Sequence, residues 1–567
     1  MSLRPVPSEH AIMKSFLLLA LLLPALNTTG IELTFGNDAS PSQADAFKAL
    51  GVTSVESYVD WAGVEPEEGR WDWSKWDHQV AILNKTAGLK WVPFLIAGPA
   101  YATPLWFQRG PNSHYLRCLE HGKESKIQSI FNPDFRPWVS RFLQAFAERY
   151  GNSGVIESVL IGVTGVYGES IYPANKRPGD WTTRLTGEYH SHHGWWAGDS
   201  DAGAAFRKAM QNKYHSLTTL NLAWGTHYNT FTEVMTVMPE KAINDRMRDD
   251  FVEWYQQAMT DWAVFWVAET RKAFPQTEIY LCTGGDGNPQ LGADFTAQAK
   301  AIAPFGAGIR ITNEGSDYTT NFSLTREAAT ATRHYGTFCG FEPAGAVTVA
   351  GLAARIYNAA ASGVRQLHFY TDNVLGSPER LQNFRANTKW LMPRQPSVDV
   401  AYYLSRETWA LAPDAIGRTY QLSRRLRELV DHDYVTRQSV TDGALQHYRV
   451  LILAESPVLE PRVAAAIEHW VEAGGVLIAV DPNTGTRLYD NTVWQTRLFG
   501  MEKETDKHIG KGRSIMVDKS ILQNAIKPFV HLDGQHDGRF VTRCKTGSLW
   551  FDAAKTTIVD DIHSTSD

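Results

Sequence analysis

From residue 31 onward, short apolar runs alternate with amphipathic stretches, the order that βα units write into a chain. The runs are 31–36 (IELTFG), 54–61 (SVESYVDW), 90–97 (KWVPFLIA), 155–163 (VIESVLIGV), 278–283 (EIYLCT), 308–312 (GIRIT), 336–341 (GTFCGF) and 366–370 (QLHFY). Apolar runs without strict alternation mark strands buried on both faces, as in parallel sheets. Eight of them with helical segments between predict a (β/α)8 barrel over residues 30–392. After a Pro-containing linker at 392–397 (MPRQPS) the βα pattern resumes over 398–518. Residues 519–567 read as a short terminal β segment.

Two rim positions carry the chemistry. The fourth run breaks into glycines and ends on Glu169; the seventh ends in Phe341-Glu342-Pro343. Carboxylates at the C-terminal ends of barrel strands lie where such enzymes keep their catalytic groups. A pair facing each other across the mouth suits glycosidic bond cleavage, one group protonated and the other ionised. Glu169 and Glu342 are therefore the expected catalytic pair, with Glu314, after the sixth run, as a rival to Glu342. Asp60, Trp61, Asp286, Asn288, His368, Asp372 and Asn373 stand at other strand ends as candidate sugar contacts, and Tyr167 stands beside Glu169. Each of these reads equally well as a loop cap or core contact. Asn313 and Tyr318 follow the sixth run, and a tyrosine there would hydrogen-bond the nucleophile and keep it ionised. Trp106 and Trp181 are candidate stacking platforms. In 189–201 (YHSHHGWWAGDSD), His190, His192 and His193 raise a metal reading, but no H-E-x-x-H scaffold accompanies them. The segment is read instead as a loop over the mouth, with Trp195 and Trp196 touching substrate.

Composition narrows the class. The net charge of -6 over 567 residues, with no basic block, argues against nucleic acid and anionic membranes as partners. The 19 Trp, 21 Tyr and 25 Phe fill a core and also suit a sugar cleft. Four cysteines (118, 282, 339 and 544) form no C-x-x-C pair, so a zinc ribbon is not expected. Residues 13–30 (MKSFLLLALLLPALNTTG) read as a secretory signal beginning at Met13, behind an upstream extension; a buried N-terminal helix is the alternative. Export follows from the first reading, and no other run reaches the roughly 20 apolar residues of a membrane span. The catalytic pair needs no cofactor and no metal.

Two longer motifs resemble a known family. Residues 54–77 (SVESYVDWAGVEPEEGRWDWSKWD) are similar to the opening of clan A glycoside hydrolases, especially the family 42 β-galactosidases. Residues 213–234 (KYHSLTTLNLAWGTHYNTFTEV) resemble that family's K-Y…L-N-x-A-W-G-T signature. The resemblance runs from about residue 34 to 475. It implies a retaining β-glycosidase with Glu169 as acid/base and Glu342 as nucleophile, acting on an oligosaccharide or polysaccharide. It also implies a flavodoxin-like (amidotransferase-like) second domain used for homo-oligomer contacts. No cysteine follows the 449–453 strand, so glutaminase chemistry is not expected there. One departure stands out: clan A enzymes carry Asn before the acid/base, whereas this chain has Gly168. The run 162–173 (GVTGVYGESIYP) is also similar to the acid segment of the inverting β-amylases. An inverting hydrolase with the same glutamates and a non-catalytic sugar-binding barrel remain as alternatives.

Overall fold

The computed structural model describes residues 30–560 except 37–39, 87, 175–189, 286, 314, 344–346, 482–486, 490–493 and 495–504. Eight parallel strands close a barrel: β1 Glu32–Gly36, β2 Ser54–Asp60, β3 Lys90–Ile96, β4 Ser158–Gly162, β5 Glu278–Thr283, β6 Gly308–Asn313, β7 Cys339–Pro343 and β8 Gln366–Tyr370. Each apolar run yields one strand, because a strand covered by helices outside and side chains inside has no wet face. The seventh strand starts later than its run and carries Glu342 within it, paired in register with Thr312 of β6.

The barrel interior is not wholly apolar. Thr34 and Ser54 share a hydrogen bond (2.8 Å), Gln366 Nε2 donates to Ser158 Oγ (3.1 Å), and Arg310 Nη1 donates to Gln366 Oε1 (3.1 Å). A satisfied polar column of this kind holds its members in one arrangement. It runs from the barrel floor to the mouth and ends on Glu342.

The family-like motifs build the walls. Glu65, fully buried, accepts from Trp61 Nε1 (2.8 Å), from the Gly69 N–H (2.6 Å) and from both Arg141 Nη atoms (3.0 and 2.5 Å). The E-P-x-x-G turn is thus a hydrogen-bonded knot against the helix Arg136–Tyr150. The second motif starts in the last turn of the helix Ser200–Tyr214 and forms the helix Leu217–Trp224, capped by Ser216, with Trp224 Nε1 donating to Asp250 Oδ2 at 2.7 Å.

The second domain is a six-stranded sheet with β9 Val400–Leu404, β10 Asp433–Thr436, β11 Val450–Ala454, β12 Val476–Val480, β13 Thr505–Ile509 and β14 Gly512–Val517. Its order is β10-β9-β11-β12-β14-β13, parallel except for β13, as in doubly wound flavodoxin-like sheets. The final strands, β15 Gln535–His536, β16 Arg539–Arg543, β17 Ser548–Asp552 and β18 Thr557–Asp560, form an antiparallel sheet. That sheet lies on the barrel, with Tyr318 stacked on Phe540 at 3.9 Å and Tyr357 OH donating to Thr542 Oγ1 at 3.0 Å.

Candidate active site

Glu342 projects from β7 into the barrel mouth and is almost fully buried. Arg310 of β6, itself fully buried, donates to Glu342 Oε2 from Nε (3.1 Å) and Nη2 (2.5 Å). Tyr370 OH at the end of β8 donates to Glu342 Oε1 at 3.0 Å, and His368 Nδ1 stands 3.9 Å from the same oxygen. Burial pushes the Glu342 carboxyl up, but the Arg310 charge and the hydrogen bonds from Arg310 and Tyr370 outweigh it and hold it below the usual glutamate value. Glu342 is therefore an ionised carboxylate with both oxygens fixed.

Glu56 of β2 lies on the other side of the same guanidinium and pairs with Arg310 Nη2. Burial raises it to about 7, with Arg310 opposing and Glu342 adding to the rise. His368 is pushed down to about 3 by burial and by Arg310, so it is a neutral imidazole. Glu56, Glu342 and His368 together have a metal-like donor set. Arg310 already fills the cationic position among them.

Glu169 reaches the mouth by a different route. The turn after β4 closes through the Val163 N–H bonding to Gly168 O (3.1 Å). Ser170 then donates its N–H (2.9 Å) and hydroxyl (2.8 Å) to Cys282 O at the end of β5. Gly284 leaves the side-chain space: a Cβ there would stand 3.7 Å from Glu169 Cγ and 2.3 Å from Thr312 Oγ1. Burial, followed by the charges of Glu342 and Glu169, drives the Cys282 thiol far up. The structure thus brings Glu169, Glu342 and His368 to one end of the barrel.

Several expected contacts are corrected. Trp61 is fully buried, gives its N–H to Glu65 and packs on Trp106, Phe107 and Trp138, so it has no face for a sugar. Trp106 is half-buried in that cluster, its N–H on Glu65 O at 2.9 Å, and is a wall residue rather than an open platform. Trp195 and Trp196 are buried against Phe251, Tyr255 and His192; the bulk of both rings goes into packing, not a lid. Tyr318 opens the helix Tyr318–His334 and turns outward onto the terminal sheet, so it does not reach the nucleophile. Tyr370 makes that hydrogen bond instead.

Asp60 caps the short helix after β2, accepting from the Gly63 N–H at 2.6 Å, and Asn288 likewise accepts from Gln290 N at 3.1 Å. Tyr167 is half-buried with its carbonyl on Tyr101 OH (3.4 Å), Asp372 is exposed just past β8, and Asn373 beside it is buried. Trp181, Asp286, Glu314 and the Asn313 side chain lie outside the described residues. Arg310, Glu56 and Tyr370 were missed. An arginine inside a buried strand was itself a signal, since such a charge demands carboxylate partners.

The chain matches the beta-galactosidase model of glycoside hydrolase family 42 over residues 35–162 and the glycosyl hydrolase family 14 model over residues 136–282. Glu169 lies within the second match and Glu342 beyond both. The Beta/alpha-amylase of Paenibacillus polymyxa is 23% identical over 237 residues, 38% of this chain and 19% of that protein. Beta-galactosidase BbgII of Bifidobacterium bifidum is 25% identical over 236 residues, 38% of this chain and 29% of that protein. The chain spans under half the length of the curated amylases and galactosidases it matches. The cold-adapted β-galactosidase from Rahnella sp. R3 shares the fold, with a TM-score of 0.70 at 14% identity over 93% of each chain. The first half of the barrel thus matches the family 42 model in part, and the chain has the fold of the solved β-galactosidases.

Proposed function

We propose that the protein is a β-galactosidase-like glycoside hydrolase that cleaves a β-linked sugar with retention of configuration. The observation that carries this reading is Glu342, buried at the mouth and held ionised by Arg310 and Tyr370, with Glu169 near enough that both charges act on the Cys282 thiol. Glu169 gives a proton to the leaving oxygen as the glycosidic C–O bond breaks, and Glu342 attacks the anomeric carbon. Glu169 then takes a proton from water, which displaces Glu342 and releases the sugar. The test is hydrolysis of a panel of nitrophenyl β-glycosides, galactoside included, by wild type and Glu342→Ala. Cleavage of one member, lost in the variant and restored by azide, is the expected result. Turnover unaffected in Glu342→Ala contradicts the assignment.

A second reading, inversion with the same pair, draws support from the family 14 match across Glu169 and from glycine at 168. A carboxyl separation of about 6.5–9.5 Å favours it, against about 5–5.5 Å for retention. The anomer released first, followed by proton NMR, separates the two. Among the described residues no helix is long and apolar enough to cross a membrane. Export, proposed from residues 13–30, is tested by N-terminal sequencing of protein recovered outside the producing cell. Self-association through the second domain is proposed from the family resemblance and is read by sedimentation.

A further inference from the structure

One guanidinium in the barrel serves two carboxyls. Arg310, Glu56 and His368 are fully buried and Glu342 almost so. Arg310 donates to Glu342 Oε2 from Nε (3.1 Å) and Nη2 (2.5 Å), to Glu56 Oε2 from Nη2 as well, and to Gln366 Oε1 from Nη1 (3.1 Å). The second oxygen of Glu342 accepts from Tyr370 OH at 3.0 Å. The second oxygen of Glu56 is buried with no hydrogen-bond partner among the described residues. His368 faces both carboxyls, with Nδ1 3.9 Å from Glu342 Oε1 and Nε2 4.0 Å from Glu56 Oε2. Gly36 leaves room for the imidazole, since a Cβ there would stand 2.7 Å from Nε2. The other ionisable groups that feel Glu56 are Tyr58 on its own strand, Cys282 of β5 and Tyr370 of β8. The flanking strands β1 and β3 bring Gly36 and Val92 to its level.

A fully buried cluster of this kind holds one negative charge against one positive, because a second carboxylate would lie buried without a counter-ion. The donors decide which group carries the charge. Glu342 receives three hydrogen bonds and Glu56 one, and the carboxyl with more donors is the one that ionises. The imidazole gives the same answer. Neutral His368 has one N–H and one lone pair, which suits a carboxylate on one side and a carboxylic acid on the other, but not two carboxylates. Resting on the hydrolase reading above, we propose that Glu56 is a positioning residue that works through Arg310. It carries the proton of the pair while Glu342 is the free nucleophile, and it takes over the guanidinium while Glu342 is esterified. Forming the C–O bond to the sugar consumes the charge of Glu342, and Glu56 then releases its proton to water. When water displaces Glu342 the charge returns there, and Glu56 takes a proton back. Glu56 itself never bonds to the sugar. Its rise to about 7, from burial and the Glu342 charge against the pull of Arg310, agrees with this arrangement.

The test is a pH titration of the full chain by infrared difference spectroscopy, which reads the stretch of a protonated carboxyl. Burial also lifts Glu32 to about 8 and Glu407 to about 7, so the Glu56 signal is the part of the wild-type titration that Glu56→Gln lacks. That part should disappear with a midpoint near 7. Glu342→Gln imitates the uncharged ester and leaves the guanidinium to Glu56, so the midpoint should fall by at least about one pH unit. A titration identical in wild type and Glu56→Gln overturns the proposal, as does an unmoved midpoint in Glu342→Gln. On the nitrophenyl glycoside that wild type cleaves, Glu56→Leu should lower kcat/KM roughly 10–100-fold, the cost of one hydrogen bond to a charged group. Glu56→Gln keeps the shape of the neutral acid and should lose clearly less. Equal losses in the two variants also overturn the proposal. A wild type that cleaves no glycoside strikes the hydrolase reading, while the infrared titration still decides where the proton sits.

Discussion

Glu56 and Glu342 flank one guanidinium and respond to it in opposite ways. Glu342 takes two of its hydrogen bonds plus that of Tyr370 and falls below the ordinary glutamate value. Its contribution to stability is present above pH 4.5 and is lost as pH falls through its lowered folded value. Glu56 rises to about 7, so its protonated form favours the fold below pH 4.5 and that contribution is lost as pH climbs through about 7. Arg310→Met would leave two buried carboxylates side by side. We expect a stability loss of about 3–5 kcal/mol in denaturant titrations. The acid limb of kcat/KM should move up toward neutral pH, because burial then acts on Glu342 unopposed. An unmoved limb would separate Arg310 from the ionisation of Glu342. Tyr370→Phe removes a hydrogen bond to a charged oxygen, worth about 1.5–3 kcal/mol. A fall of roughly 10–100-fold in kcat/KM is expected. The rim rule that picks out Glu342 also reaches Tyr370, the last residue of β8. Tyr318 was preferred on chain position alone, and helix direction turned it outward.

At the scale of elements, the turn after β4 explains the missing asparagine. Gly168 has φ +106°, and a Cβ there would stand 3.0 Å from Phe94 Cζ. Asparagine tolerates the left-handed region near +57° but not this backbone. Gly168→Asn should therefore lower stability by about 1–3 kcal/mol and reduce activity by shifting Glu169. A variant with wild-type Tm and higher turnover would contradict this path of the chain. The turn was legible as a glycine-rich break, but its backbone angles were not, since they depend on packing against β3. The tryptophans teach the same lesson. Their number pointed toward a cleft, whereas Trp61, Trp195 and Trp196 are spent on walls. Composition cannot tell which face of a ring is covered.

For the whole molecule, the eight apolar runs predicted the barrel because parallel strands buried on both faces leave a plain signal in sequence. Contacts between parts of the chain leave none. Arg326, fully buried on a barrel helix, pairs with Asp431 (3.2 Å) and Asp433 (3.3 Å) at the edge of the second sheet. Arg406 pairs with Glu327 at 2.8 Å, both buried. The segment 392–397 is tied to the terminal sheet through Ser397 N on Arg543 O (2.9 Å). Barrel and second domain should therefore melt together. Arg326→Ala, which leaves Asp433 to Arg333 and Asp431 to Arg427, should cost about 1.5–3 kcal/mol and split one calorimetric transition into two. A single transition at the wild-type Tm would show that this interface does not couple them.

The central claim is that Glu342 forms the bond to the sugar. Incubation with a 2-deoxy-2-fluoro-β-galactoside carrying a good leaving group, followed by peptide mass spectrometry, tests it directly. The account predicts one fluorosugar per chain on the peptide containing Glu342, absent in Glu342→Gln. Steady turnover of the parent nitrophenyl galactoside with no label, or a label on another carboxylate, would contradict it.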